Sequence, residues 1–283
     1  MRIDVNGTRL WFDVDGPALV PDGSGMRQRP TVVLVHGGPG VYDHSYFKPD
    51  FGRLVEHAQV VYLDLRGHGR SDWGDAGSWS FETCADDVRM FCDTVGIARP
   101  IVFGHSMGGP VVLLYGARHP GHAAGLVVQS GFARWDTPRM VEGFRRVAGD
   151  EVAELSRRSY SGEEVPDEQW ARVFAAFGSH LPDEERKAGT PQNLELNSHG
   201  MDLIRKLDVV DQLSQVASPT LVSVGALDPV TPVEAAEEIV GALPEGIAQF
   251  EVIDGAGHFT WMDAPERFWP MIIEFIGRVP STG

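Results

Sequence analysis

The stretch Ile101-Val102-Phe103-Gly104-His105-Ser106-Met107-Gly108-Gly109, running on into Pro110-Val111-Val112-Leu113-Leu114-Tyr115, decides how the rest of the chain is read. A short run rich in Ile, Val and Phe predicts a buried strand over Pro100–Phe103. The apolar segment beyond it predicts a helix over Met107–His119, stopped by Pro120-Gly121. Between them stands Gly-x-Ser-x-Gly. A strand that turns sharply into a helix needs small neighbours at the bend, and Gly104, Gly108 and Gly109 supply them. Ser106 is therefore presented at the carboxyl end of a strand, as a candidate nucleophile.

Outward from this motif the same rhythm repeats. Thr31–Val35, Gln59–Leu63 and Gly125–Gln129 read as further buried strands. A helix is expected from a Ser80 N-cap to a Gly96 C-cap, with Cys84, Val88, Phe91 and Val95 on one face. Asn6-Gly7 between Met1–Val5 and Thr8–Val14 predicts a hairpin. Gly16–Pro30, dense in Pro and Gly, reads as a surface loop. Alternating strands and helices imply a mostly parallel twisted sheet with right-handed crossovers. No strand is visible from Gly131 to Ala217. Met140–Val147, Glu151–Tyr160, Asp167–Phe177 and Leu194–Lys206 look helical there. Strands return at Pro219–Val224 and Gln249–Ile253, with helices over Val233–Leu243 and Pro265–Val279. The expected organisation is an α/β core in two parts, 1–130 and 218–283, around a helical cap at 131–217.

Composition narrows the function. The chain has 283 residues and is 42% hydrophobic, enough for one core without a disulfide or metal staple. Lys+Arg 24 against Asp+Glu 40 gives a net charge of −16, which disfavours nucleic acid and anionic membranes as partners. Cys84 and Cys92 are too far apart along one helix to bridge and read as buried thiols of a reducing compartment. Neither has zinc-ligand spacing. No basic start followed by an apolar core opens the chain, and no apolar run nears the ~20 residues of a membrane span. The expectation is a cytoplasmic protein acting on a small molecule or short peptide, with no cofactor or metal. The sequence leaves its oligomeric state open.

A Ser hydroxyl needs a base, and the base needs an orienting acid. His258 lies in Asp254-Gly255-Ala256-Gly257-His258, just after the last expected strand, at the sheet edge where α/β sites lie. Asp228, in Gly225-Ala226-Leu227-Asp228-Pro229, follows the preceding strand and is the candidate acid. Asp254 is the rival, better suited to bracing its loop. His36-Gly37-Gly38-Pro39-Gly40 follows Thr31–Val35. Its Gly38 amide, with that of Met107, is the candidate oxyanion hole. His36 is expected to brace this loop, and the bond before Pro39 is a candidate cis peptide.

These residues resemble the α/β-hydrolase fold over nearly the whole chain. The run His36–Gly40 is similar to the signature of proline iminopeptidases, and Asp64-Leu65-Arg66-Gly67-His68-Gly69-Arg70-Ser71 to a loop shared across the fold. The resemblance implies a Ser106–His258–Asp228 serine hydrolase with a helical cap. The proline iminopeptidase branch would use cap carboxylates for the substrate amine, from among Glu151, Glu154, Glu163, Glu164 and Glu195. That branch typically has Gly-Gly-Ser-Trp-Gly at the nucleophile and an Arg-Tyr pair before the acid. Here Gly104-His105-Ser106-Met107-Gly108 and Ala226-Leu227 stand in those places. The first of these is similar instead to esterases, lactonases and carbon–carbon hydrolases. Hydrolysis of a small ester, lactone or amide leads; an aminopeptidase and a ligand-binding receptor of the same fold are the alternatives. Trp135, Trp170, Phe174, Phe177 and Met201 are candidates to line the substrate pocket.

Overall fold

The chain opens with a hairpin, β1 (Arg2–Val5) and β2 (Thr8–Asp15). It turns at Asn6-Gly7 with both residues at positive φ, as this dipeptide favours. The structure, a computed structural model, describes residues 1–182 and 190–279. The stretch expected to be a loop holds a second hairpin, β3 (Leu19–Asp22) and β4 (Gly25–Gln28), which pair antiparallel and stay largely exposed. Asp22-Gly23 supplies its turn, with Gly23 at φ 58°. The hairpin packs no face into the core, so alternation of apolar residues does not announce it.

Then follow β5 (Thr31–Val35), the short helix α1 (Lys48–Phe51), β6 (Gln59–Asp64), α2 (Phe81–Val95), β7 (Ile101–His105), α3 (Gly108–Arg118) and β8 (Gly125–Gln129). α2 starts at the expected cap: Ser80 accepts from the Thr83 amide, and Gly96 closes the helix in the left-handed region. Between β8 and β9 (Thr220–Gly225) the described residues form α4 (Thr137–Ser161), α5 (Asp167–Ala175) and α6 (Leu194–Ile204). Residues 183–189 of this stretch lie outside the described part. The two helices expected over 140–160 are both present within α4, separated by a kink at Gly149, whose φ of 82° is not helical. α7 (Val233–Ala242), β10 (Ala248–Ile253), α8 (Thr260–Asp263) and α9 (Pro265–Arg278) complete the chain.

Eight strands form one sheet in the order β1-β2-β6-β5-β7-β8-β9-β10. The six from β6 to β10 run parallel, and β1 and β2 are antiparallel at one edge. β5, β7 and β8 are buried at every residue, as strands covered by helices on both sides must be. The period of two assigns their side chains to layers. Val33 and Val35 pack with α2, α3 and α7, whereas Val32 and Leu34 pack with α1 and α9. Each such buried side chain contributes roughly 1.5–3 kcal/mol. Cys84 and Cys92 are buried free thiols on α2, and burial raises both pKa values, that of Cys92 to about 12. Among the described residues no helix is long and apolar enough to cross a membrane.

The chain leaves β5 toward β6 on one side and returns past it to β7 on the other. The carboxyl ends of β5 and β7 therefore flank a crevice at a topological switch point. At this crevice the backbones are in contact. A Cβ on Gly104 would lie 2.2 Å from the Gly108 carbonyl oxygen. Gly104→Ala is expected to lower unfolding free energy by about 3 kcal/mol in urea titration, because backbone rather than a mobile side chain must give way. Wild-type stability in this variant would show that the turn is looser than described.

Candidate active site

Ser106 sits at the bend between β7 and α3 with φ 55°, a left-handed conformation that costs a non-glycine residue about 1–2 kcal/mol. Main-chain bonds hold it there. The Ser106 amide donates to Gln129 O at 3.0 Å, and Ser106 O accepts from the Gly109 amide at 2.8 Å. Room for the bend comes from Gly108, where a Cβ would lie 2.4 Å from Val35 O. Met107 is the N-cap of α3, so its amide stands among the unpaired donors of a helix start.

Asp228 and His258 come together from the loops after β9 and β10. His258 Nδ1 lies 2.8 Å from Asp228 Oδ2, with both residues buried. Asp228 Oδ1 accepts from the amides of Val230 and Thr231 at 2.9 and 3.1 Å. The Thr231 hydroxyl lies 2.9 Å from both Asp228 Oδ2 and Ser130 O. A carboxylate only accepts, so Nδ1 carries the proton and the neutral ring keeps its lone pair on Nε2. Asp254, the rival acid, is exposed.

The loop after β5 is set by two histidines and a tyrosine. His36 Nε2 accepts from the Leu65 amide at 3.1 Å, so its proton is on Nδ1, which donates to Gly37 O at 2.6 Å. Across a trans peptide C=O and N–H point opposite ways, so pinning Gly37 O turns the Gly38 amide away from His36. The Gly37 amide donates to Tyr46 Oη at 2.8 Å, and Tyr46 Oη lies 3.0 Å from His105 Nδ1. His105 Nε2 lies 3.0 Å from His258 O. A carbonyl can only accept, so His105 is protonated on Nε2 and takes the Tyr46 proton on Nδ1. One directed chain thus joins the Gly37 loop to the His258 loop. The Gly38–Pro39 peptide is cis.

Gly38, Ser106, Met107 and His258 all line one cavity of about 590 Å³. Trp135, Trp170, Phe174, Phe177 and Met201, the five candidates from the sequence, line it too. Tyr42, Tyr46, Tyr160, Gln192 and Asn197 were not foreseen. The aromatic residues pack on one another, with Trp135 and Tyr160 centroids 5.4 Å apart. Among the described residues lining it, none is Asp, Glu, Lys or Arg. Glu151, Glu154, Glu163, Glu164 and Glu195 are exposed. Glu151 pairs with Arg172 at 2.6 Å and Glu154 with Arg157 at 2.8 Å.

Asp43, His44 and Asp64 form a buried group of metal-ligand type. Three of its four carboxylate oxygens accept hydrogen bonds within the protein. Asp64 Oδ1 accepts from His44 N and Nδ1 at 2.9 and 2.7 Å, Asp64 Oδ2 from the Arg70 amide, and Asp43 Oδ1 from the Ser45 amide. With the Arg66–Asp87 ion pair, these bonds fix the loop 64–71 beneath the site.

Residues 30–265 match the family model for the alpha/beta hydrolase fold, and the chain belongs to that family. It is 25% identical, over 88% of its length and 87% of the relative's, to a 2-hydroxy-6-oxononadienedioate/2-hydroxy-6-oxononatrienedioate hydrolase of Paraburkholderia phymatum. A thermophilic esterase from Thermogutta terrifontis superposes with TM-score 0.72 at 27% identity, covering 99% of this chain and 100% of the other. The proline iminopeptidase of Mycobacterium smegmatis superposes with TM-score 0.78 at 21% identity, covering 98% and 97%.

Burial pushes His36, His68 and His105 down in pKa, His68 to about 3. Neighbouring histidines add to the depression, His36 acting on His68 and His258 on His105. The unfolded chain binds these protons near pH 6.5 and the folded one does not. Stability is therefore full above pH 6.5 and falls as pH drops below it, by about 1.4 kcal/mol per pH unit for each histidine kept neutral. Urea midpoints should stay level from pH 7.5 to about 6.5 and decline from there to pH 4.5; a flat profile between pH 6.5 and 5 would contradict the neutral assignments.

Proposed function

We propose that the protein is a cofactor-independent serine hydrolase acting on a small, uncharged ester or lactone. The reading is carried by Ser106 and His258 lining one cavity while Asp228 holds His258 Nδ1. Ser106 Oγ attacks the substrate carbonyl as its proton passes to His258 Nε2. The amides of Gly38 and Met107 stabilise the tetrahedral oxyanion. The alkoxide leaves with the proton from His258, giving an acyl-enzyme. Water, deprotonated by His258, then releases the acid and restores the Ser106 hydroxyl. Asp228 stabilises the imidazolium at each step.

The helical stretch 131–217 acts as a cap, and its aromatic residues select the acyl group. The charge pattern supports an ester or lactone over a free N-terminal amine. Among the described residues, the candidates Glu151, Glu154, Glu163, Glu164 and Glu195 are exposed, and Glu151 and Glu154 pair with arginines. The lining is aromatic and amide-bearing, suited to an uncharged ligand.

Wild type and Ser106→Ala should be compared on neutral p-nitrophenyl esters, lactones and proline p-nitroanilide. Ester or lactone turnover is expected, with kcat reduced on the order of 10⁴- to 10⁶-fold in Ser106→Ala and an unchanged unfolding midpoint. Retained turnover in that variant would remove Ser106 as nucleophile. Faster release of proline than of any ester, abolished by blocking the amine, would establish an aminopeptidase instead.

A further inference from the structure

The loop that carries His258 is tied to the segment following α5. The His258 amide donates to Phe177 O at 2.5 Å. Asp263, at the end of α8, spans the same junction: its Oδ2 accepts from the Gly257 amide at 2.8 Å and its Oδ1 from the His180 amide at 2.7 Å. Its side chain is only 1% exposed. The two segments are pressed together. A Cβ on Gly257 would lie 2.2 Å from Phe177 O, and one on Gly178 would lie 2.5 Å from Asp263 Oδ2. The Phe177 ring meets the His258 imidazole edge-on, 5.5 Å between centroids, and also lines the cavity.

We propose that Asp263 is a positioning residue for His258, locking the imidazole to the cavity wall at Phe177. This rests on the reading of His258 as the base. The Asp228 contact fixes one ring nitrogen but leaves the main chain of 257–258 to be placed by its own bonds. Those bonds come from three directions: Phe177 O, Asp263 Oδ2 and His105 Nε2. Beside the direct bond to Phe177 O, Asp263 adds a second tie, from Gly257 to His180, so the base and the cavity wall hold one spacing. A 1 Å misplacement of a reacting group can cost about 100-fold in rate.

The test uses Asp263→Asn, which keeps the shape but turns one acceptor into a donor facing an N–H. Gly178→Ala is the second variant, displacing the same contact from the other side. Both are made in wild type and in His258→Ala, and assayed on the best neutral ester per mole of folded enzyme. The expected result is a fall in kcat of about 10- to 100-fold with KM within about 3-fold, and less than about 2-fold further loss in the His258→Ala background. If Asp263→Asn does not fold, Gly178→Ala alone must show the same pattern. A lowered melting temperature with unchanged kcat would overturn the proposal. So would a rise in KM alone, or an equal loss with and without His258. Wild-type turnover in His258→Ala would overturn the base assignment and this proposal with it, a result distinct from the other three.

Discussion

The approach of Gly108 to the carbonyl oxygen of Val35 is the contact on which the site depends. A methyl group at that glycine would stand 2.4 Å from the oxygen, so α3 reaches the end of β5 only as bare backbone. That proximity brings the helix start that follows Ser106 beside the glycine-rich loop, where a Cβ on Gly37 would lie 3.3 Å from Ser106 Cβ. The strained φ of Ser106 is tolerable because β5, β7 and β8, buried at every residue, leave the bend no softer direction in which to relax. Rigidity of the sheet is thus converted into placement of one hydroxyl.

Around that hydroxyl the protein keeps its histidines neutral by burial and settles their tautomers by geometry. His36 donates to a carbonyl from Nδ1 and accepts an amide on Nε2; His105, with the nitrogens exchanged, donates to a carbonyl from Nε2 and accepts the Tyr46 hydroxyl on Nδ1. Neither has a proton to exchange without breaking a bond that holds a loop. In the proposed mechanism only His258, whose Nδ1 faces a carboxylate that hydrogen bonds from four donors surround, is left able to carry a proton between groups. Several imidazoles can therefore crowd one site while a single one does acid–base work.

Much of this arrangement was legible in the sequence where it is local. The strand–turn–helix around Ser106, the hairpin at Asn6-Gly7, the capped helix from Ser80 to Gly96 and the loops bearing Asp228 and His258 each announce themselves within a few residues. The aromatic residues of 131–217 could be named as wall candidates because so many large apolar groups in a helical insertion must bury against something. What was illegible is long-range or unpatterned. Tyr46 ends the short 3-10 turn His44–Tyr46, which no motif announces, and its bond to His105 joins positions far apart in the chain. The Leu19–Gln28 hairpin is exposed on both faces and so lacks alternation. Asp263 sits in sequence among polar and apolar residues alike, and nothing marks it as buried until Gly178 and Gly257 are seen closing over it.

The chain of bonds from Gly37 through Tyr46 and His105 to His258 O has a single polarity, and this bears on how the sequence can drift. A phenylalanine at 46 would strand an amide proton at one end and an imidazole lone pair at the other, both buried. A residue at 105 unable to accept on one side and donate on the other would leave the tyrosine hydroxyl and a carbonyl equally orphaned. Positions 46 and 105 therefore form one evolutionary character. In descendants of this chain they should be inherited or exchanged as a pair, although they are contributed by separate layers of the fold and neither carries the proposed chemistry.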